Sequence, residues 1–162
     1  MLAFATDLYD EGLDTVLGNV QERAAVDGLT MAVAYHDARD LFPHNPVHKV
    51  RYLEGGAVFF QPDESRYEGL QLQPRVADLA RTVDPLSDVC AAAGEQGMDV
   101  NAWVVFLHSD RLGFTHPQCA TQNAFGDRRP GTQGGAIQED LEQTRQHALN
   151  SDCADLCENS VF

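Results

Sequence analysis

Apolar positions in the first third of the chain fall at helical spacing and then run together. Leu8, Leu13, Val16, Leu17, Val20 and Ala24 form one stripe between Asp7 and Asp27, which predicts a helix stopped by Gly28. Leu29 to Tyr35 is a short, partly β-branched apolar run, the pattern of a strand buried on both faces. The cycle then repeats. Val76, Leu79, Ala80, Val83, Leu86, Val89, Cys90 and Ala93 mark a second helical stripe from Val76 to Gln96, and Asp99 to Leu107 predicts a second strand. Pro85 interrupts the second stripe, so either two helices meet near Asp84-Pro85 or one helix kinks there. Between the cycles, Lys49 to Phe60 has an extended pattern divided by Gly55-Gly56. A hairpin of Val50-Arg51-Tyr52-Leu53 with Ala57-Val58-Phe59-Phe60, or a bent excursion, is expected there. Pro62, Asp63 and Ser65 end it with turn chemistry, and Tyr67 to Pro74 reads as a loop.

Helix, strand, excursion, helix, strand is the order that parallel strands require, since each must be joined by a long crossover. The expected fold class is therefore α/β, with parallel strands, crossover helices and an inserted hairpin. Both strands run into polar residues: Tyr35-His36-Asp37-Ala38-Arg39-Asp40 follows the first, and the second ends on His108-Ser109. Parallel sheets and barrels keep their sites at these carboxyl ends, and the inserted hairpin is placed where it could roof such a site. After Asp127 the rhythm stops. Arg128 to Gly135 is polar and glycine-rich, and Gln138 to Leu149 has a weak amphipathic helical pattern. The expected organisation is one domain over 1–127 followed by a divergent, flexible or helical tail over 128–162.

Composition narrows the partners. A chain of 162 residues with 43% hydrophobic content suits a single folded core. Its 11 basic and 25 acidic residues give a net charge of −14, which argues against nucleic acid or an anionic membrane surface as partner. No window reaches the roughly 18 consecutive apolar residues of a membrane span. The N-terminus meets Asp7 early and carries no basic region, so the chain as written reads as cytoplasmic, a missing leader being the alternative. Cys90, Cys119, Cys153 and Cys157 contain no Cys-x-x-Cys pair and imply neither a disulfide framework nor a metal site. No phosphate loop, dinucleotide fingerprint or Gly-x-Ser-x-Gly elbow occurs. No cofactor is expected.

The segments Tyr35 to Pro46, Gly55 to Pro62 and Ala102 to His108 together resemble the N-terminal portion of uncharacterised bacterial barrel proteins related to glycoside hydrolases. His116-Pro117 and Asn123-Ala124-Phe125-Gly126-Asp127 look like parts of the same pattern, which covers about Leu2 to Asp127. The resemblance implies a partial (β/α)8 barrel, with the acid and nucleophile or base carboxylates on later strands. A full barrel takes about 200 to 250 residues, so a truncated or frame-shifted product is expected, catalytically incomplete and prone to self-association through uncovered barrel surfaces.

What the resemblance leaves to this chain is substrate holding. The candidates are His36, Asp37, Arg39, Asp40, His44, Asn45, Trp103 and His108, because sugar hydroxyls pair with carboxylates, Arg and His while an aromatic face packs on a pyranose. Each has a plainer reading: Arg39 with Asp37 or Asp40 as a loop-bracing ion pair, Trp103 as core, His44-Asn45-Pro46 as a turn, and His108 as a histidine satisfied by a carboxylate. A second class of function is a metal-dependent hydrolase or isomerase using His36, Asp37, Asp40, His108 and His116, although no His-x-His pair or His-Glu-x-x-His helix supports it. A third is a non-catalytic fragment with no activity of its own.

Overall fold

The computed structural model of the chain describes residues 1–105 and 108–129. Phe106 and Leu107 of the expected second strand lie outside these residues, as do the expected helix at Gln138 to Leu149 and the pair Cys153 and Cys157. Strand β1 (Leu2–Phe4) leads directly into helix α1 (Ala5–Glu11), and helix α2 (Leu13–Ala24) follows. The single stripe read from the sequence is thus two helices. Gly12, at φ 87°, closes one and opens the next: its N–H donates to Leu8 O at 2.9 Å, and its carbonyl accepts from Val16 N at 3.0 Å. The stop also falls earlier than Gly28. Ala25 takes the left-handed conformation at φ 52° as the cap of α2, and Gly28 begins strand β2 (Gly28–Tyr35).

Strands β3 (Ala38–Leu41) and β4 (Val50–Leu53) come next, then the short β5 (Ala57–Val58) and β6 (Arg75–Val76). A 3₁₀ turn at Leu79–Arg81 precedes helix α3 (Pro85–Glu95). Pro85 occupies the first helical turn, and the Asp84 side chain caps it by accepting from Ser87 N at 3.2 Å, which resolves the choice at Pro85 in favour of separate pieces. Strand β7 (Asp99–Val104), helix α4 (Asp110–Thr115) and the small ladder of β8 (Thr121–Gln122) with β9 (Arg128–Arg129) complete the described chain.

Strand β2 organises the main sheet. It pairs in parallel with β1 from Leu2↔Thr30 to Phe4↔Ala32, and in parallel with β7 from Gly28↔Asp99 onward. Beyond the reach of β1, its last residues pair antiparallel with β5, Ala34 with Val58 and Tyr35 with Ala57, while β6 runs parallel to β5. The result is a five-stranded, mostly parallel sheet, in which β1, β5 and β6 join the two expected strands on the edge of β2 away from β7. The described residues do not close it into a barrel.

The hairpin differs from the expected one. Val50–Leu53 pairs with Ala38–Leu41 rather than with Ala57–Phe60, so the Gly55-Gly56 step carries the chain from the hairpin back to the main sheet. Gly56 at φ 63° makes that reversal possible. Within the hairpin, exposed Arg39, Leu41, Val50 and Tyr52 alternate with more buried Ala38, Asp40, Arg51 and Leu53, as a two-faced ribbon should.

The core joins helices to the sheet. Leu8, Val16, Leu17 and Val20 from α1 and α2, and Leu86, Val89 and Ala93 from α3, share one buried cluster with Ala3, Leu29, Met31, Val33 and Val100 of the strands. Burial of each large side chain is worth about 1.5–3 kcal/mol. Cys90 packs at the edge of this cluster, and Cys119 is buried. No helix of the described residues is long and apolar enough to cross a membrane.

The left-handed Ala25 gives a direct test, because an L-residue with a Cβ is disfavoured there by about 1–2 kcal/mol. Ala25→Gly should raise stability by about 1 kcal/mol, read as a shifted urea midpoint with unchanged slope.

Candidate functional site

The carboxyl ends of the three parallel strands carry rings. Phe4 ends β1, Tyr35 ends β2, and Trp103 lies one residue from the end of β7. Their contacts are continuous, with centroids of Phe4 and Tyr35 5.2 Å apart and those of Tyr35 and Trp103 5.3 Å apart. His36 follows β2 and packs on Tyr35 at 4.1 Å, and His108 meets His36 at 4.5 Å. The two histidines that end separate apolar runs in the sequence are therefore neighbours in space. Trp103 is half-buried, neither sealed in the core nor standing free.

Asp37 and Arg111 edge this surface. The Gly55 N–H donates to Asp37 Oδ1 at 3.0 Å, and a β-carbon on Gly55 would lie 2.2 Å from Asp37 Cγ. No larger residue fits without displacing Asp37. The neighbouring Gly56 brings the same turn against α4: a β-carbon there would meet Ser109 Oγ at 3.1 Å and Arg111 Nε at 3.4 Å. Ser109 caps α4 by accepting from Leu112 N at 3.3 Å and so fixes the first turn that carries Arg111. The Arg111 Nε is buried with no hydrogen-bond partner. Burial pushes this guanidinium below its ordinary pKa, nearby Arg75 adds to the effect, and Asp37 opposes it. Arg111 is absent from the candidates drawn from the sequence; its signal is Ser109, a helix cap placed directly after the second strand.

His44 and Asn45 belong to a second group. Asn45 is 0% exposed and uses its whole amide. Nδ2 donates to Asp7 Oδ1 and to Asp10 Oδ2, the latter at 2.9 Å, while Oδ1 accepts from Val47 N and His48 N at 2.8 Å each. Four bonds exhaust a carboxamide, so Asn45 pins the hairpin loop to α1 and has nothing left for a substrate. His44 Nε2 lies 2.7 Å from Asp7 Oδ2 and 3.3 Å from Glu11 Oε1. Arg51 donates to Asp10 Oδ2, which His48 Nδ1 also meets at 3.0 Å. The Phe42 ring touches both Phe4 at 5.7 Å and His44 at 6.2 Å, and so links the two groups.

Arg39 and Asp40 join neither group directly. Arg39 is exposed on the hairpin, opposite Tyr52, and Asp40 stands opposite Arg51. Neither bracing ion pair, Arg39 with Asp37 or with Asp40, forms, because the alternation of β3 turns Arg39 to the exposed face of the ribbon and Asp40 to the other. The metal set read from the sequence does not assemble either. Among the described residues, the ligand-type side chains that gather in a group of three are Asp7, Glu11 and His44, none of them in the set His36, Asp37, Asp40, His108 and His116. His116 sits at the end of α4 with Nδ1 2.9 Å from Thr115 Oγ1.

Burial alone would raise the Asp10 carboxyl, but hydrogen bonds from Arg51, His48 and Asn45 outweigh it and hold the group below its ordinary value of 3.8. No family model, curated protein or solved structure matches the chain.

Two consequences can be measured. Gly55→Ala forces Asp37 away and should cost about 1–3 kcal/mol, as overpacking does, in denaturant unfolding. A carboxyl with a depressed folded pKa stabilises the fold above its unfolded pKa, and that contribution is lost as pH falls through the folded one. Asp10→Asn should therefore lower the melting temperature at pH 7 and flatten its fall below about pH 4.

Proposed function

We propose that the strand ends of this chain bind carbohydrate, on one wall of a partial (β/α) barrel. Support for the barrel reading comes from the order of the parallel strands: β1, β2 and β7 lie side by side in chain order, as consecutive βα units of a barrel do, with α1, α2 and α3 sharing one core against the sheet. The observation that carries the binding reading is the continuous surface of Tyr35, Trp103, His36 and His108 at the carboxyl ends of β2 and β7.

Such a surface matches a sugar's two chemistries. Rings take the apolar C–H face of a pyranose, while His36, His108, Asp37 and Arg111 supply hydrogen bonds to hydroxyls or to an acidic substituent. Binding rather than cleavage is the role assigned to these residues, since glycosidic hydrolysis uses two carboxyl groups flanking the bond. Asp37 is fixed by the Gly55 amide, and Glu54 is engaged by Arg75 at 3.5 Å and the Asp78 N–H at 3.2 Å.

Trp103 is the sole tryptophan of the chain, so its fluorescence reports on this surface without ambiguity. Titration with a panel of neutral and acidic oligosaccharides should give a saturable change for at least one. In calorimetry, Trp103→Ala and His108→Ala should each weaken binding of that saccharide about 10-fold, equivalent to about 1.4 kcal/mol. A flat response across the panel, or full affinity in both variants, would refute carbohydrate binding here.

A further inference from the structure

We propose that Asp7, Glu11 and His44 form a divalent-cation site of the class filled by zinc, independent of the carbohydrate surface. Asp7 and Glu11 are four residues apart on α1, which places them on one helix face, and His44 reaches them from the loop between β3 and β4. The three ligand atoms lie within 4.8 Å of one another. His44 Nε2 is 2.7 Å from Asp7 Oδ2 and 3.3 Å from Glu11 Oε1. Bonds of about 2.1 Å in a tetrahedral shell put neighbouring ligand atoms roughly 3.4 Å apart. The His44–Glu11 separation already matches this spacing, and the 2.7 Å between His44 and Asp7 must open by about 0.7 Å, which rotation of the Asp7 carboxylate and the imidazole supplies.

Charge favours the same conclusion. Three carboxylates cluster on this face of α1, but Arg51 is committed to Asp10. Asp7 and Glu11 have no lysine or arginine within ion-pair distance among the described residues, and His44 is their one basic neighbour. Asp7 is only 8% exposed, and a carboxylate that far from water needs a compensating positive group. A divalent ion balances the two carboxylates while leaving His44 neutral, the form in which imidazole ligates.

The surroundings also hold the ligands as metal sites require. Asn45, wholly buried, donates to Asp7 Oδ1 and leaves Oδ2 directed at His44, a hydrogen bond of the kind that fixes the orientation of a ligating carboxylate. The His44 ring makes a T-shaped contact with Phe42, centroids 6.2 Å apart. One imidazole with two carboxylates is a nitrogen and oxygen set suited to zinc or manganese rather than to copper(I). With the His44 side chain 57% exposed, the remaining coordination positions face solvent, open to water or a ligand.

The test is direct. Chelator-treated protein should take up one zinc ion per chain in calorimetry at pH 7, with a raised melting temperature. Cobalt(II) in its place should give visible d–d absorption. His44→Ala and Glu11→Gln alter side chains that are 57% and 22% exposed, and each should keep the native circular dichroism while losing at least 10-fold in zinc affinity. Failure of the wild-type chain to bind zinc at micromolar concentration would overturn the proposal. So would undiminished uptake in either variant, which would place the ion elsewhere.

Discussion

Strand β2 must have both of its edges paired, and the remainder of the structure follows from how that is achieved. A buried strand with an open edge would leave backbone N–H and C=O groups without partners, at a cost comparable to a lost hydrogen bond for each. On one side β7 runs the length of the strand; on the other, β1 covers Thr30 to Ala32 and β5 takes over at Ala34 and Tyr35. Because the pairing continues to the final residue, Tyr35 and His36 emerge from a fixed frame. The register shift between Ala32 and Ala34 accompanies three successive buried residues, Met31, Ala32 and Val33, where strict alternation would bury every second one.

Two polar groups hang from this frame and are joined by rings. Phe4 is shared between them, since it touches Tyr35 on the strand-end side and Phe42 on the hairpin side. The hairpin is not held by its own strands alone: Asn45 ties its loop to α1 through both Asp7 and Asp10. Removing that amide would leave two carboxylates facing each other in a buried place. The loop expected to roof the strand ends is thus tied to α1, with Phe42 against Phe4 at the end of β1, while the Gly55-Gly56 turn lies against Asp37, Ser109 and Arg111.

The sequence revealed the elements whose signals are long and local. The α/β class, the strands at Leu29 to Tyr35 and from Asp99, the helix after Pro85 and the convergence of His36 with His108 were all legible, because each rests on periodicity or on strand-end position. What escaped depended on short or distant pairing. Leu2–Phe4 is three residues and makes a strand only because β2 is there to receive it. The hairpin partner of β4 was misassigned because Gly55-Gly56 looks like a hairpin turn, whereas Asp37 packs so closely on Gly55 that the glycines serve a crossing of the chain. The His44-Asn45 cluster was invisible for a related reason: its partners on α1 are 35 to 38 positions away, and Asp7 reads locally as an ordinary solvent-facing acid. Arg39 illustrates the opposite failure, a residue conspicuous in the sequence that the hairpin's alternation turns outward.

The measurement that bears most directly on a ligand site at the strand ends is a titration of the ¹⁵N-labelled protein with the saccharide selected by fluorescence. Saturable shifts should centre on the backbone amides of Tyr35, His36 and Asp37, the Trp103 indole, the His108 amide and the Arg111 Nε–H, leaving the hairpin amides at Arg39 and Tyr52 unmoved. Shifts that avoid the carboxyl ends of β2 and β7, or that never saturate, would contradict the assignment.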